Sequence, residues 1–267
     1  MVTRSLFPLV RVILFMLACA VVLALVAPFA RKLPGKESEL FLGGVTSIVT
    51  FALTALFVRW ERLRLTDVGA MPSAQSFGRM ALGLVVGSLI ISAWAGISLA
   101  AGQMHWVRAN DVDVRSIMIA LLAYLSLACR EELAFRGYPL RRMHERFGLW
   151  PAQFFVAFMF AFEHKLAGAT WLDAFLGAGV GSLLFGMAAI ATQGLAVPIG
   201  VHAAWNLGHW ALGLKGTPGL WRAVVDEQHQ HSAGFTGTML YDVVMLFATF
   251  AFWLWYRRSR PAATEPE

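Results

Sequence analysis

Eight apolar runs, each close to the length that crosses a lipid bilayer, constrain this chain more than any other feature. They lie at about 8–30, 40–58, 80–101, 116–140, 150–168, 171–190, 195–214 and 239–256. A spanning helix needs about 20 predominantly apolar residues. In hydrocarbon its backbone must satisfy its own hydrogen bonds, which favours helices over open strands. Of the 267 residues, 58% are hydrophobic and only 14% are charged. Soluble domains carry about 25% charged residues. Twenty Phe, ten Trp and eleven Met are more than one soluble core of this length can hide. The expected fold is all-α: a polytopic transmembrane helical bundle of about eight spans, forming a single integral membrane domain over 1–267.

The first run starts after Arg4 and Arg11, as a secretory signal would, and "ACA" at 18–20 resembles a cleavage site. Its apolar stretch continues to Ala30, beyond the usual 7–15 residues of a signal's apolar core. An uncleaved first helix is expected. The fifth and sixth runs have the least distinct junction, because Glu163, His164, Lys165 and Asp173 crowd it.

Orientation follows from the placement of Lys and Arg in short loops. One set of segments holds Arg4 and Arg11, then Arg59, Arg62, Arg64 and Arg79, then Arg141, Arg142 and Arg146, then Arg257, Arg258 and Arg260. The alternate set holds Arg31, Lys32, Lys36, Arg108, Arg115, Lys165, Lys215 and Arg222. The first set is richer, which places both termini in the cytoplasm; the 31–36 cluster dissents. Trp60, Trp106, Trp150 and Trp171 near run ends fit interfacial belts. The basic residues form no stripe, so no nucleic-acid partner is expected. Cys19 and Cys129 lie in apolar runs without metal-ligand spacing and read as small buried hydrophobes. The longest loop, 215–238, contains His229 and His231. They could bind a metal, but two histidines in a polar loop are usually solvated. The tail, 261–267, reads as disordered.

Ionisable residues inside spans are costly, about 2.5–3.5 kcal/mol for a central Asp, Lys or Arg. Three clusters therefore stand out. In "SLACREELAFRGYPL" (126–140), Glu132 and Arg136 are i and i+4, share a helix face and can pair. Glu131 is rotated from Glu132 by about 100° and is free to face elsewhere. The cluster could equally be a structural ion-pair knot near a helix end, since Gly137 and Pro139 suggest that the span is ending. In "FMFAFEHKLAG" (158–168), Phe160 and His164 share a face, and Glu163 reads as a charge at the opposite interface. In "VPIGVHAAWNLGHW" (197–210), His202 and Asn206 project together, with His209 extending the stripe. Alone, this pair could serve helix–helix hydrogen bonding. Together the clusters supply a carboxylate, two imidazoles and an amide, which is the inventory for activating a water and stabilising an oxyanion. No nucleophile-elbow serine and no HExxH accompany them.

"EELAFR" (131–136), "FAFEH" (160–164) and "HAAWN" (202–206), in that order on successive spans, resemble the EExxxR, FxxxH and HxxxN motifs of the CAAX protease and bacteriocin-processing (CPBP, or Abi) family. These are intramembrane glutamic endopeptidases related to the type II CAAX prenyl endopeptidases. The resemblance covers about 115–215, a catalytic core region carrying the three motifs. It implies that Glu131 activates the attacking water, that His164 orients or deprotonates it, and that His202 and Asn206 stabilise the oxyanion. It also implies that Glu132, Arg136 and Phe160 are supporting residues. The expected activity is hydrolysis of a peptide bond in a membrane-associated or lipidated protein or peptide. No cofactor is expected; a zinc-dependent variant using Glu131, His164 and His202 as ligands is the alternative, as is a non-catalytic immunity or scaffold protein, or a proton-linked transporter. The expected location is the bilayer of a prokaryotic inner (plasma) membrane.

One tension remains. Glu131 falls near the cytoplasmic end of the fourth run, whereas His164 lies about 22 Å into the fifth, at 1.5 Å per residue. For the two to meet, the fourth helix must run on through "RRMHER", or the fifth must tilt or start earlier.

Overall fold

The structure, a computed structural model, describes residues 3–102, 104–109, 112–216, 219–225, 229 and 233–259. It is the expected all-α bundle. The first three apolar runs form α1 (Thr3–Ala30), α2 (Gly35–Trp60) and α3 (Ala74–Ala100). The fourth forms α4 (Val114–Glu132), which passes through a π-helical stretch, Leu133–Gly137, into α5 (Tyr138–Phe147). The fifth is α6 (Leu149–Leu166). The sixth begins with a second π-helical stretch, Asp173–Gly179, that leads into α7 (Val180–Thr192). The last two are α8 (Ala196–Ala211) and α9 (Ala233–Arg258). Among the described residues, five helices are long and apolar enough to cross a membrane: those spanning Pro8–Ala30, Gly35–Trp60, Ala74–Ala100, Asp173–Thr192 and Gly234–Arg258. The helices outside this group include α4, α6 and α8, which carry the motif residues. The disordered-tail expectation for 261–267 lies outside the described residues.

The fourth run does not end at 140, as expected. Pro139 sits in the first turn of α5, where its missing N–H leaves no helical bond unmade. The helix therefore continues to Phe147, and Gly148, at φ 85°, turns the chain into α6. Asp113 caps the other end of this long element by accepting from Ser116 N at 2.7 Å. Those Ser116 hydrogen bonds hold the Asp113 carboxyl below the usual carboxylate range. Glu131 thus lies near the midpoint of Val114–Phe147 rather than at its end. That removes the depth conflict with His164 by the first of the two routes anticipated.

A two-stranded sheet was not anticipated. β1 (Met104–Arg108) pairs antiparallel with β2 (Trp221–Val225), with Trp106 opposite Ala223. Trp106 packs on Trp94, with ring centroids 6.5 Å apart. Trp60, Trp150 and Trp171 are exposed, as belt residues would be.

Small residues set the helix spacing. A Cβ on Gly83 of α3 would lie 2.3 Å from the Val197 carbonyl, and one on Gly200 of α8 would lie 2.3 Å from the Met80 carbonyl. On α2, a Cβ on Gly43 would lie 2.4 Å from Ser126 Oγ of α4. Backbones in contact are how bundles gain packing energy when lipid is as apolar as the core. Here the close contacts fix α4 and α8, two of the motif helices.

One end of the bundle is knit by Glu61, whose side chain is only 2% exposed. It meets Arg11 Nη1 of α1 at 3.2 Å, Arg142 Nε of α5 at 2.6 Å and the Tyr138 hydroxyl at 2.9 Å. His144 of α5 packs on Tyr256 of α9. The segments rich in arginine therefore share this end, and the loop residues 31–34, 101–102, 112–113, 167–172 and 212–216 share the other.

Candidate active site

The end of α4 separates its two carboxylates. Glu132 points inward and is fully buried; its Oε1 lies 3.4 Å from Arg136 Nη1, the i, i+4 pairing expected from spacing. The same oxygen lies 2.9 Å from His202 Nδ1. Arg136 Nη2 in turn donates to Ser182 Oγ at 2.9 Å. The Arg136 guanidinium lies 4.3 Å from the Phe160 ring centroid and 5.4 Å from that of Phe185, so the charge is held between aromatic faces. Glu131 points the other way, into a cavity, and its Oε2 lies 3.5 Å from His202 Nε2.

His202 is therefore clamped. Phe185 stacks on its ring at 4.1 Å and 12°, Glu132 takes Nδ1, and Nε2 is left facing Glu131. His164 is oriented by its own helix. Its Nδ1 lies 3.0 Å from the Phe160 carbonyl, which can only accept. Nδ1 thus carries the hydrogen, and in the neutral ring Nε2 holds a free lone pair. Phe160 packs under this ring, with centroids 4.5 Å apart. Asn206, one turn beyond His202 on α8, is half-buried on the same wall.

The cavity these residues share measures about 740 Å³. Glu131, Phe160, Phe185, His202, Asn206, Trp205 and Tyr241 line it together with Asp173 and Lys215, which are exposed and mark its mouth. The mouth opens at the end of the bundle opposite Glu61. All four expected catalytic residues line it. His209 also lines it, packed between Trp94 and Trp205 at 5.5 and 4.5 Å.

Two contacts between helices were not read from the sequence. Glu163, read from the sequence as a charge at the opposite interface, is paired: its Oε1 lies 2.5 Å from Nη1 of Arg130, a residue with no role assigned from sequence. Arg130 also reaches Glu131 Oε1 at 3.7 Å. The sequence signal was available, as opposite charges directly before Glu131 and before His164. The bond from Glu132 to His202 was also missed, since it joins residues 70 positions apart. Among the described residues, no group of three or more His, Cys, Asp or Glu is arranged to hold a metal ion. His231, part of the loop metal reading, lies outside the described residues.

Residues 113–208 match the family model for type II CAAX prenyl endopeptidase, Rce1-like. No curated protein matches the chain. The matched segment runs from the cap of α4 to the last turns of α8 and contains all three motifs, with Glu131, His164, His202 and Asn206 of the cavity lining. That match supports the resemblance to the CAAX protease family that the three motifs carry.

Proposed function

We propose that the protein is an intramembrane endopeptidase in which Glu131 activates water to hydrolyse a peptide bond of a membrane-associated or lipidated substrate. The observation that supports this best is the convergence of Glu131, His164, His202 and Asn206 on one cavity. Water attacks the scissile carbonyl carbon as Glu131 takes its proton, with His164 Nε2 orienting the water's second hydrogen. The carbonyl oxygen becomes an oxyanion, which the Asn206 amide nitrogen and the His202 imidazole stabilise by hydrogen bonds. Glu131 then returns the proton to the leaving nitrogen as the C–N bond breaks. Glu132 and Arg136 hold His202 and do not touch substrate. No metal takes part, because His202 Nε2 is committed to the oxyanion.

The test uses purified protein in lipid nanodiscs and internally quenched peptides, with and without a farnesylated cysteine. Glu131→Gln is expected to fold as the wild type and to lose cleavage by at least about 1,000-fold, the scale of losing a group that acts in the transition state. Chelators leave the wild-type rate unchanged. Cleavage by the Glu131→Gln variant at the wild-type rate overturns the reading, and loss of activity with chelated zinc restores the metal-dependent alternative.

A further inference from the structure

Lys215 lies outside the three motifs and beyond the matched segment, yet its Nζ donates to Asn206 Oδ1 at 2.9 Å. The turn that follows α8 delivers it there. Gly213, at φ 73°, reverses the chain, and a Cβ at that position would lie 2.5 Å from the Trp221 carbonyl. Leu214 N then donates to the His209 carbonyl at 2.9 Å. The path is therefore built into the fold, with β2 pressed against the turn. The ammonium also lies 5.7 Å from the Tyr124 ring centroid, a further attraction that keeps it on this wall.

The chemistry of the contact is directional. An ammonium has donors and no acceptor, and an amide offers one acceptor oxygen and one donor nitrogen. Holding Oδ1 at Lys215 turns Nδ2 the opposite way. Only Nδ2 can donate to an oxyanion. An unheld amide can rotate and present its oxygen to the same point, which repels the charge it should stabilise.

We propose that Lys215 is a positioning residue: it fixes the Asn206 amide with its nitrogen available to the oxyanion, and its charge strengthens that donor. The proposal rests on the proteolytic reading above. It acts on the transition state and leaves substrate binding alone.

The experiment measures kcat and KM on the quenched peptides for wild type, Lys215→Met, Lys215→Arg, Asn206→Ala, the Asn206→Ala/Lys215→Met double variant and Glu131→Gln. Lys215 is exposed at the rim, so its truncation is expected to leave the melting temperature unchanged. Lys215→Met is expected to lower kcat by about 10–100-fold, with KM changed by less than about twofold. Lys215→Arg, which keeps the charge and the donors, recovers most of that loss. In the Asn206→Ala background, Lys215→Met has no further effect, because the residue acts through the amide. A rise in KM alone, additive losses in the double variant, or a Lys215→Met variant as active as wild type overturns the proposal. An inactive Glu131→Gln beside a fully active Lys215→Met removes only the role of the lysine. An active Glu131→Gln removes the proteolytic reading itself.

Discussion

Arg130 and Glu163 join α4 to α6 by a 2.5 Å ion pair placed one residue before Glu131 and one residue before His164. The arginine side chain is 2% exposed and that of the glutamate 17%. The pair therefore locks the two helices at the level where their neighbours must meet. Removing one partner of a buried pair leaves an uncompensated charge and costs about 3–5 kcal/mol, whereas replacing both with apolar residues is often neutral. Arg130→Met is expected to lower stability by about that amount, and Arg130→Met/Glu163→Met to regain most of it. Thermal melts in detergent check this. A single variant that melts with the wild type would show that the pair does not tie the helices.

What was legible in the sequence was whatever is local along the chain. The apolar runs announce helices because length and composition are properties of a window. Glu132–Arg136 and His202–Asn206 were legible because i, i+4 spacing is a property of one helix. The continuation of α4 into α5 was not. Gly137 and Pro139 carry breaker signals, and it takes the π-helical turn to place Pro139 where it is harmless. Arg130–Glu163, Glu132–His202 and Lys215–Asn206 join different elements, and no periodicity links them. The β1–β2 pairing has the same origin: "MHWVR" and "WRAVV" are good strand sequences, but their alternation is masked in a chain this apolar, and each finds its partner more than 100 positions away.

Gly200 lies at the α3–α8 contact one half-turn before His202. Its missing Cβ is replaced by backbone of α3: the Met80 carbonyl at 2.3 Å and Leu84 N at 2.7 Å from where that atom would be. Backbone cannot swing aside as a side chain can. Gly200→Ala is therefore expected to push the helices apart, costing about 1–3 kcal/mol and shifting His202 and Asn206 with α8. Misplacement by about 1 Å costs about 100-fold in rate, so cleavage falls further than stability alone implies. Gly44→Ala on α2, where a Cβ meets nothing within 4 Å, is the control and is expected to change neither. Equal melting temperatures and rates for the two variants would remove the argument.

The cavity and the arginines lie at opposite ends of the bundle. Its mouth is bordered by Asp173 and Lys215, while Arg11, Glu61 and Arg142 close the other end. Lys and Arg are retained on the cytoplasmic side during insertion. Applied to this chain, the asymmetry predicts that the Glu61 end faces the cytoplasm and that the cavity opens to the opposite face. Under the proposed proteolytic function, the substrate segment would then reach the site from outside the cytoplasm. Met71→Cys, in the exposed loop at the arginine-rich end, and Ala167→Cys, in the exposed loop near the mouth, report the two faces. A membrane-impermeant maleimide added to intact bacterial cells is expected to label Ala167→Cys at once and Met71→Cys only after lysis. Cys19 is buried and Cys129 half-buried, so background labelling is low. The reverse pattern would invert the bundle and place both the cavity and its substrate on the cytoplasmic side.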